Sequence, residues 1–119
     1  MAQSKVNPPS RGDVVLVDLD PTIGHEQGGQ RPALVVSDDL MNSSAGGLVI
    51  IAPITGTDRG IPAHVKIAAP EGGLLKLSVI MVDQIRTISR RRIARKLGSI
   101  SAQSMSRVDD RLRLVLGLS

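Results

Sequence analysis

The 119-residue chain contains no phenylalanine, tyrosine or tryptophan. Its core must therefore be built from Val, Ile, Leu, Met and Ala, and any nucleic-acid site must work without an aromatic ring to stack on a base. Cysteine is absent too, which excludes disulfides, a thiolate nucleophile and cysteine-based zinc sites. There are two histidines, His25 and His64, and neither has a partner at HExxH spacing, so no metal and no cofactor are expected. No run approaches the ~18 apolar residues of a membrane-spanning helix. The opening "MAQSKVNPPS" lacks the apolar stretch of a signal peptide. These absences predict a soluble, cytoplasmic protein that makes no use of a membrane.

What remains is ordinary for a globular chain: 41% apolar and 22% charged residues, enough to bury one core. The net charge of +4 points to an anionic partner, nucleic acid being the commonest. A disordered N-terminal arm is expected over residues 1–10 and a single domain over 11–119.

Short β-branched and alternating runs dominate the first hundred residues. "GDVVLVDL" (12–19), "RPALVVS" (31–37), "LVIIAP" (48–53) and "AHVKIAA" (63–69) read as strands. In the last of these Val65 and Ile67 point inward, His64 and Lys66 outward. "DDLMNSS" gives one or two helical turns capped by Asp38. Residues 75–88 form two strands or one strongly bent strand, and "RRRIARKLG" is a basic edge segment. The period then changes: Met105, Val108, Leu112 and Val115 form a helical stripe between an N-cap at Ser101 and a stop at Gly117. The fold class predicted is mainly β, a small barrel of five to seven short strands with a C-terminal α-helix.

The glycine-rich stretch "GHEQGGQRP" (24–32) fits neither GxxxxGK[ST] nor GxGxxG, and no GxSxG elbow occurs anywhere. Asp18 and Asp20 read as a strand exit into an Asp-Pro turn rather than a cation site, and Asp109-Asp110 as a solvated helix face with ion pairs. Three polar residues interrupt or adjoin core strands: Arg31, Thr55 in "PITG", and Asp83 in "MVDQIR". An arginine suits a phosphate and the charge that develops on it, and a threonine hydroxyl adds a neutral donor. The alternatives are a structural Arg31–Asp83 ion pair and a Thr55 that serves only its turn. His25 is a candidate acid or base; His64 has no assigned role. Arg86, Arg90, Arg91, Arg92, Arg95 and Lys96 form either a phosphate track or a protected sheet edge.

Taken in order, "RGDVVLVDLDPTIGHEQGGQRPALVVS", "PITG", "VDQIRTIS" and "LGSIS" resemble the MazF/PemK (Kid) toxin endoribonucleases of toxin–antitoxin modules, over nearly the whole chain. The resemblance implies an SH3-like barrel with a C-terminal helix (a CcdB/MazF/Kid-like fold), a homodimer, and metal-independent, sequence-specific cleavage of single-stranded messenger RNA. The 2′-hydroxyl attacks the adjacent phosphodiester, leaving 2′,3′-cyclic phosphate and 5′-hydroxyl ends. Translation and growth then stop until a small acidic antitoxin, similar to MazE, neutralises the toxin. The resemblance places the catalytic arginine at Arg31 and the threonine at Thr55, with His25 and Asp83 implicated in one branch. That branch carries an arginine two residues before the aspartate, where Met81 stands here, so Arg31 with Thr55 is the favoured pair. Glu26, Gln27, Gln30, Gln84 and Arg86 are the expected RNA contacts, the glutamines reading base edges in place of stacking. Two rival readings share the architecture: a CcdB-like gyrase inhibitor, and a non-catalytic SH3-like module that binds RNA or protein.

Overall fold

The computed structural model describes residues 7–18 and 29–119. Within them seven strands make one antiparallel sheet: β1 (Asp13–Asp18), β2 (Gln30–Val35), β3 (Leu48–Thr55), β4 (His64–Ile67), β5 (Ser78–Met81), β6 (Arg86–Ser89) and β7 (Ile93–Ser99). The order is β4-β5-β3-β2-β1-β7, with β6 also on β3. A short helix, α1 (Asp39–Asn42), joins β2 to β3, and α2 (Ala102–Leu116) ends the chain. The end strands β4 and β7 do not pair with each other, so the sheet is curled and barrel-like without being closed.

Most strands are buried on both faces, and alternation sorts their side chains into two cores. Val14, Leu34, Ala52, Ile54, Val65, Ile67 and Ile80 pack with Val108 of α2 on one side. Val15, Val17, Ala33, Val35, Val49, Ile51 and Ile88 fill the other. Compact aliphatic residues on pleated strands achieve this without one ring.

The stretch 75–88 resolves into two strands along the same side of β3. Ile54 pairs with Ile80 in β5, whereas Ile51 pairs with Arg86 in β6, a register shift that accommodates the 3-10 turn Val82–Gln84. Asp83 interrupts an apolar run because it sits in this extruded turn. The Arg90–Arg92 segment is a 3-10 turn leading into β7, which among the described residues pairs with β1 alone and forms a basic edge.

The predicted caps are present. Asp38 accepts from Leu40 N at 2.9 Å, Ser101 Oγ from Ser104 N at 3.0 Å, and Gly117 closes α2 in the left-handed conformation. The helical stripe is shorter than predicted. Met105, Val108 and Leu112 meet the core, but Val115 is exposed beside Leu114 and Leu116. Asp110 pairs with Arg113 at 2.8 Å, while Asp109 reaches across the fold to Arg11 at 2.6 Å. Arg11 also donates from Nε to the Val36 carbonyl and from its backbone to Asp39 Oδ1, fastening β1 to both helices. Of the expected arm, residues 1–6 lie outside the described residues, and Ser10 N donates to Asp13 Oδ2 at 2.9 Å.

Candidate active site

Arg31 opens β2 and Thr55 ends β3. The two strands pair through Ala33↔Pro53, Leu34↔Ala52 and Val35↔Ile51. The pairing ends at Ala33↔Pro53, two residues short of both Arg31 and Thr55. Both line a cavity of about 800 Å³ between the β2–β3 end, the segment Gly73–Lys76 and strand β7. The structure thus brings together the two residues that the sequence singles out for catalysis.

The cavity has an apolar wall of Leu16, Pro32, Ile54, Leu74 and Leu97, and three cations at its mouth, Arg31, Lys76 and Arg95. No carboxylate is among the described residues that line it. Thr55 Oγ1 accepts from Thr57 N at 3.2 Å. The turn therefore uses the oxygen lone pair and leaves the hydroxyl proton available to a ligand. Serving the turn and serving a ligand are compatible roles for this residue.

The other candidates are distributed differently. Asp83 does not pair with Arg31: its Oδ1 lies 2.9 Å from His64 Nε2. Alternation alone sends His64 outward, but its side chain is only 4% exposed, and the 3-10 turn that carries its partner Asp83 packs against β4. His64 Nδ1 is buried without a partner among the described residues. Gln30 is exposed at the start of β2, and Gln84 and Arg86 are exposed in and just after the 3-10 turn. None of these three, nor Asp83, lines the cavity. His25, Glu26 and Gln27 lie outside the described residues.

Of the cavity's cations, Lys76 carries no signal in the sequence, and Arg95 stands there only within a basic run. Three other members of that run have partners: Arg90 holds the Asn42 and Ser44 carbonyls, Arg92 the Asp18 carbonyl, and Lys96 the Asp13 carboxylate. Strand alternation from Ile93 would have put Arg95 on the same face as Leu97, away from Lys96. Lys76, a lone cation within "GLLKLS", left no periodic signal.

The fold and the cavity define a small, mainly β domain with a C-terminal helix and a cleft lined by three cations. Residues 10–116 match the family of PemK-like, MazF-like toxins of type II toxin-antitoxin systems, and the chain belongs to that family. Similar solved structures include the MazE–MazF complex of Deinococcus radiodurans, at 33% identity, TM-score 0.82, and coverage of 96% of this chain and 100% of that one. An endoribonuclease from a Mycobacterial species is 27% identical with a TM-score of 0.75, each chain covered to 97%. A Mycobacterial endoribonuclease in complex with its cognate antitoxin, at 24% identity and TM-score 0.76 over 96% of this chain and 98% of that one, shares the fold.

Proposed function

We propose that the chain is a metal-independent endoribonuclease toxin that cuts single-stranded messenger RNA and so inhibits translation and growth. The observation that carries this reading is the convergence of Arg31 and Thr55 on one cationic cavity whose described lining holds no carboxylate. A phosphodiester placed there meets a guanidinium and a hydroxyl donor. As the 2′-hydroxyl attacks phosphorus, negative charge builds on the non-bridging oxygens, and these two groups stabilise it. The 2′-oxygen bonds to phosphorus, the 5′-oxygen departs and takes up a proton, and the ends are 2′,3′-cyclic phosphate and 5′-hydroxyl. His25 and Glu26 are the candidates for moving the protons. Asp83, held by His64 outside the cavity, is assigned to the structure of its turn.

The apolar wall suits the face of a base, and Gln27, Gln30, Gln84 and Arg86 are proposed contacts to the flanking strand. A homodimer belongs to the same proposal. Exposed Leu114, Val115, Leu116 and Leu118 supply apolar surface of the kind a second copy buries. The basic β7 edge favours a small acidic antitoxin as neutralising partner, acting in the cytoplasm.

The test is incubation of the purified protein with mixed-sequence RNA in EDTA, with the product ends mapped. Cleavage to the stated ends supports the reading. Gyrase-dependent DNA damage with RNA left intact would replace it with a gyrase-directed toxin, and salt-sensitive binding without products would replace it with a binding module.

A further inference from the structure

Lys76 lies on a segment with conspicuous neighbours. Leu75 beside it is 96% exposed and Leu77 56% exposed, yet the lysine side chain turns back over the protein, across Gly56. A Cβ at residue 56 would stand 3.0 Å from Lys76 Cε and 3.1 Å from Nζ. Gly56 directly follows Thr55, so the ammonium rests beside the backbone that carries the candidate catalytic hydroxyl. Two features hold it there. Ser78, itself buried, donates from Oγ to the Lys76 carbonyl at 2.9 Å and fixes the segment. The missing Cβ at Gly56 supplies the room.

No described carboxylate pairs with Lys76: the ion pairs among the described residues involve Arg11, His64, Lys66, Lys96 and Arg113. A cation held over a glycine, beside a donor hydroxyl and in a cavity with two further cations, has a ligand-binding arrangement rather than that of a solvated surface lysine. We infer that Lys76 is a second phosphate ligand of this site, its ammonium seated on Gly56 and directed at the phosphodiester that Arg31 and Thr55 contact. The inference rests on the RNA-cleaving reading for its catalytic consequence, but on the cavity's chemistry alone for binding. A phosphodiester offers two non-bridging oxygens. Arg31 meets them with a planar fork and Lys76 with a compact point charge, so both are neutralised as the fifth bond to phosphorus forms.

The experiment has two readouts on three variants, Lys76→Met, Lys76→Arg and Gly56→Ala. The first is binding of a mixed-sequence 2′-O-methyl RNA, which has no nucleophilic 2′-hydroxyl, followed by fluorescence anisotropy across a salt series. The second is single-turnover cleavage of the matching unmodified RNA. Lys76→Met is expected to weaken binding about tenfold, to lower the salt slope by about 0.7, the single-strand value for one phosphate contact, and to slow cleavage by about 10²-fold. Lys76→Arg keeps the charge and recovers most of both. Gly56→Ala displaces only the end of a flexible side chain and reproduces part of the Lys76→Met defect with the melting temperature maintained. Wild-type levels of binding and cleavage in Lys76→Met would overturn the inference, as would a wild-type protein that does not bind the 2′-O-methyl RNA. Binding by the wild type without any cleavage would instead sink the endoribonuclease reading, and the binding series would still decide the role of Lys76.

Discussion

Arg31 and Thr55 line the same cavity, Arg31 from the start of β2 and Thr55 from the end of β3. Pro53 has no N–H to give to a ladder, and beyond it β3 takes β5 as partner through Ile54 and Thr55. The strands part at the point where the two polar side chains begin, and the cavity occupies the gap. If the hydroxyl serves the substrate as well as the turn, Thr55→Val should slow RNA cleavage about tenfold or more, the scale of a lost transition-state donor. Thr55→Ser should retain most activity. Single-turnover rates at saturating enzyme check this.

The His64–Asp83 contact predicts a stability effect distinct from catalysis. Asp83→Asn weakens a contact to a nearly buried ring whose other nitrogen already lacks a described partner. A loss of about 1–2 kcal/mol follows for a damaged, partly buried polar pair, or roughly 3–10 °C in melting temperature for a domain of this size. Cleavage at a temperature where the variant is folded should fall far less than for Arg31→Ala. Thermal melts paired with rate measurements separate the two effects.

Gly73 is a point of close approach. At φ +76°, its added Cβ would run into the Leu97 carbonyl of β7, and Gly98 is similarly pressed against the Gly72-Gly73 backbone. This backbone-on-backbone contact sets the segment Leu74–Lys76 over the cavity. Gly73→Ala is expected to cost about 2–4 kcal/mol, as a clash at a left-handed position in a packed site does. Denaturant unfolding measures it.

Glu71 couples acid stability to the same region. Its Oε2 accepts from Ser101 N, at the N-cap of α2, at 2.9 Å. That backbone hydrogen bond is the main reason its pKa lies below the ordinary 4.5. A carboxylate with a lowered folded-state pKa adds stability that is complete above the unfolded value and disappears as pH falls through the folded one. The stability difference between wild type and Glu71→Gln should therefore be constant near neutrality and shrink as pH drops below about 4.5. Urea melts at several pH values test this.

Much of the fold is readable in the chain because its signals are local. Asp38, Ser101 and Gly117 cap helices by their own chemistry, and β-branched runs such as Val14–Val17 and Val49–Ile51 suit the pleated, buried strands they form. Arg31 and Thr55 stood out as polar residues at the ends of apolar strands. The rest depended on tertiary placement. His64 follows an outward alternation but is met by Asp83 of a turn whose position no local pattern encodes. Val115 continues a helical stripe but is exposed. Lys76 becomes a site residue only because Gly56, twenty positions earlier, leaves room beneath it. Arg95 differs from its neighbour Lys96 in lining the cavity from β7, while Arg90–Arg92 stand in the turn before that strand.

The central claim is that Arg31 and Thr55 form an RNA-cleaving centre that needs no metal. Its most direct test is the single-turnover cleavage rate of mixed-sequence RNA by wild type and Arg31→Ala, both in EDTA, with product ends mapped. The account predicts wild-type cleavage to 2′,3′-cyclic phosphate and 5′-hydroxyl ends, and a fall of about 10²–10³-fold for Arg31→Ala with an unchanged melting temperature. Full activity in Arg31→Ala, or wild-type cleavage that appears only when a divalent metal is restored, would contradict it.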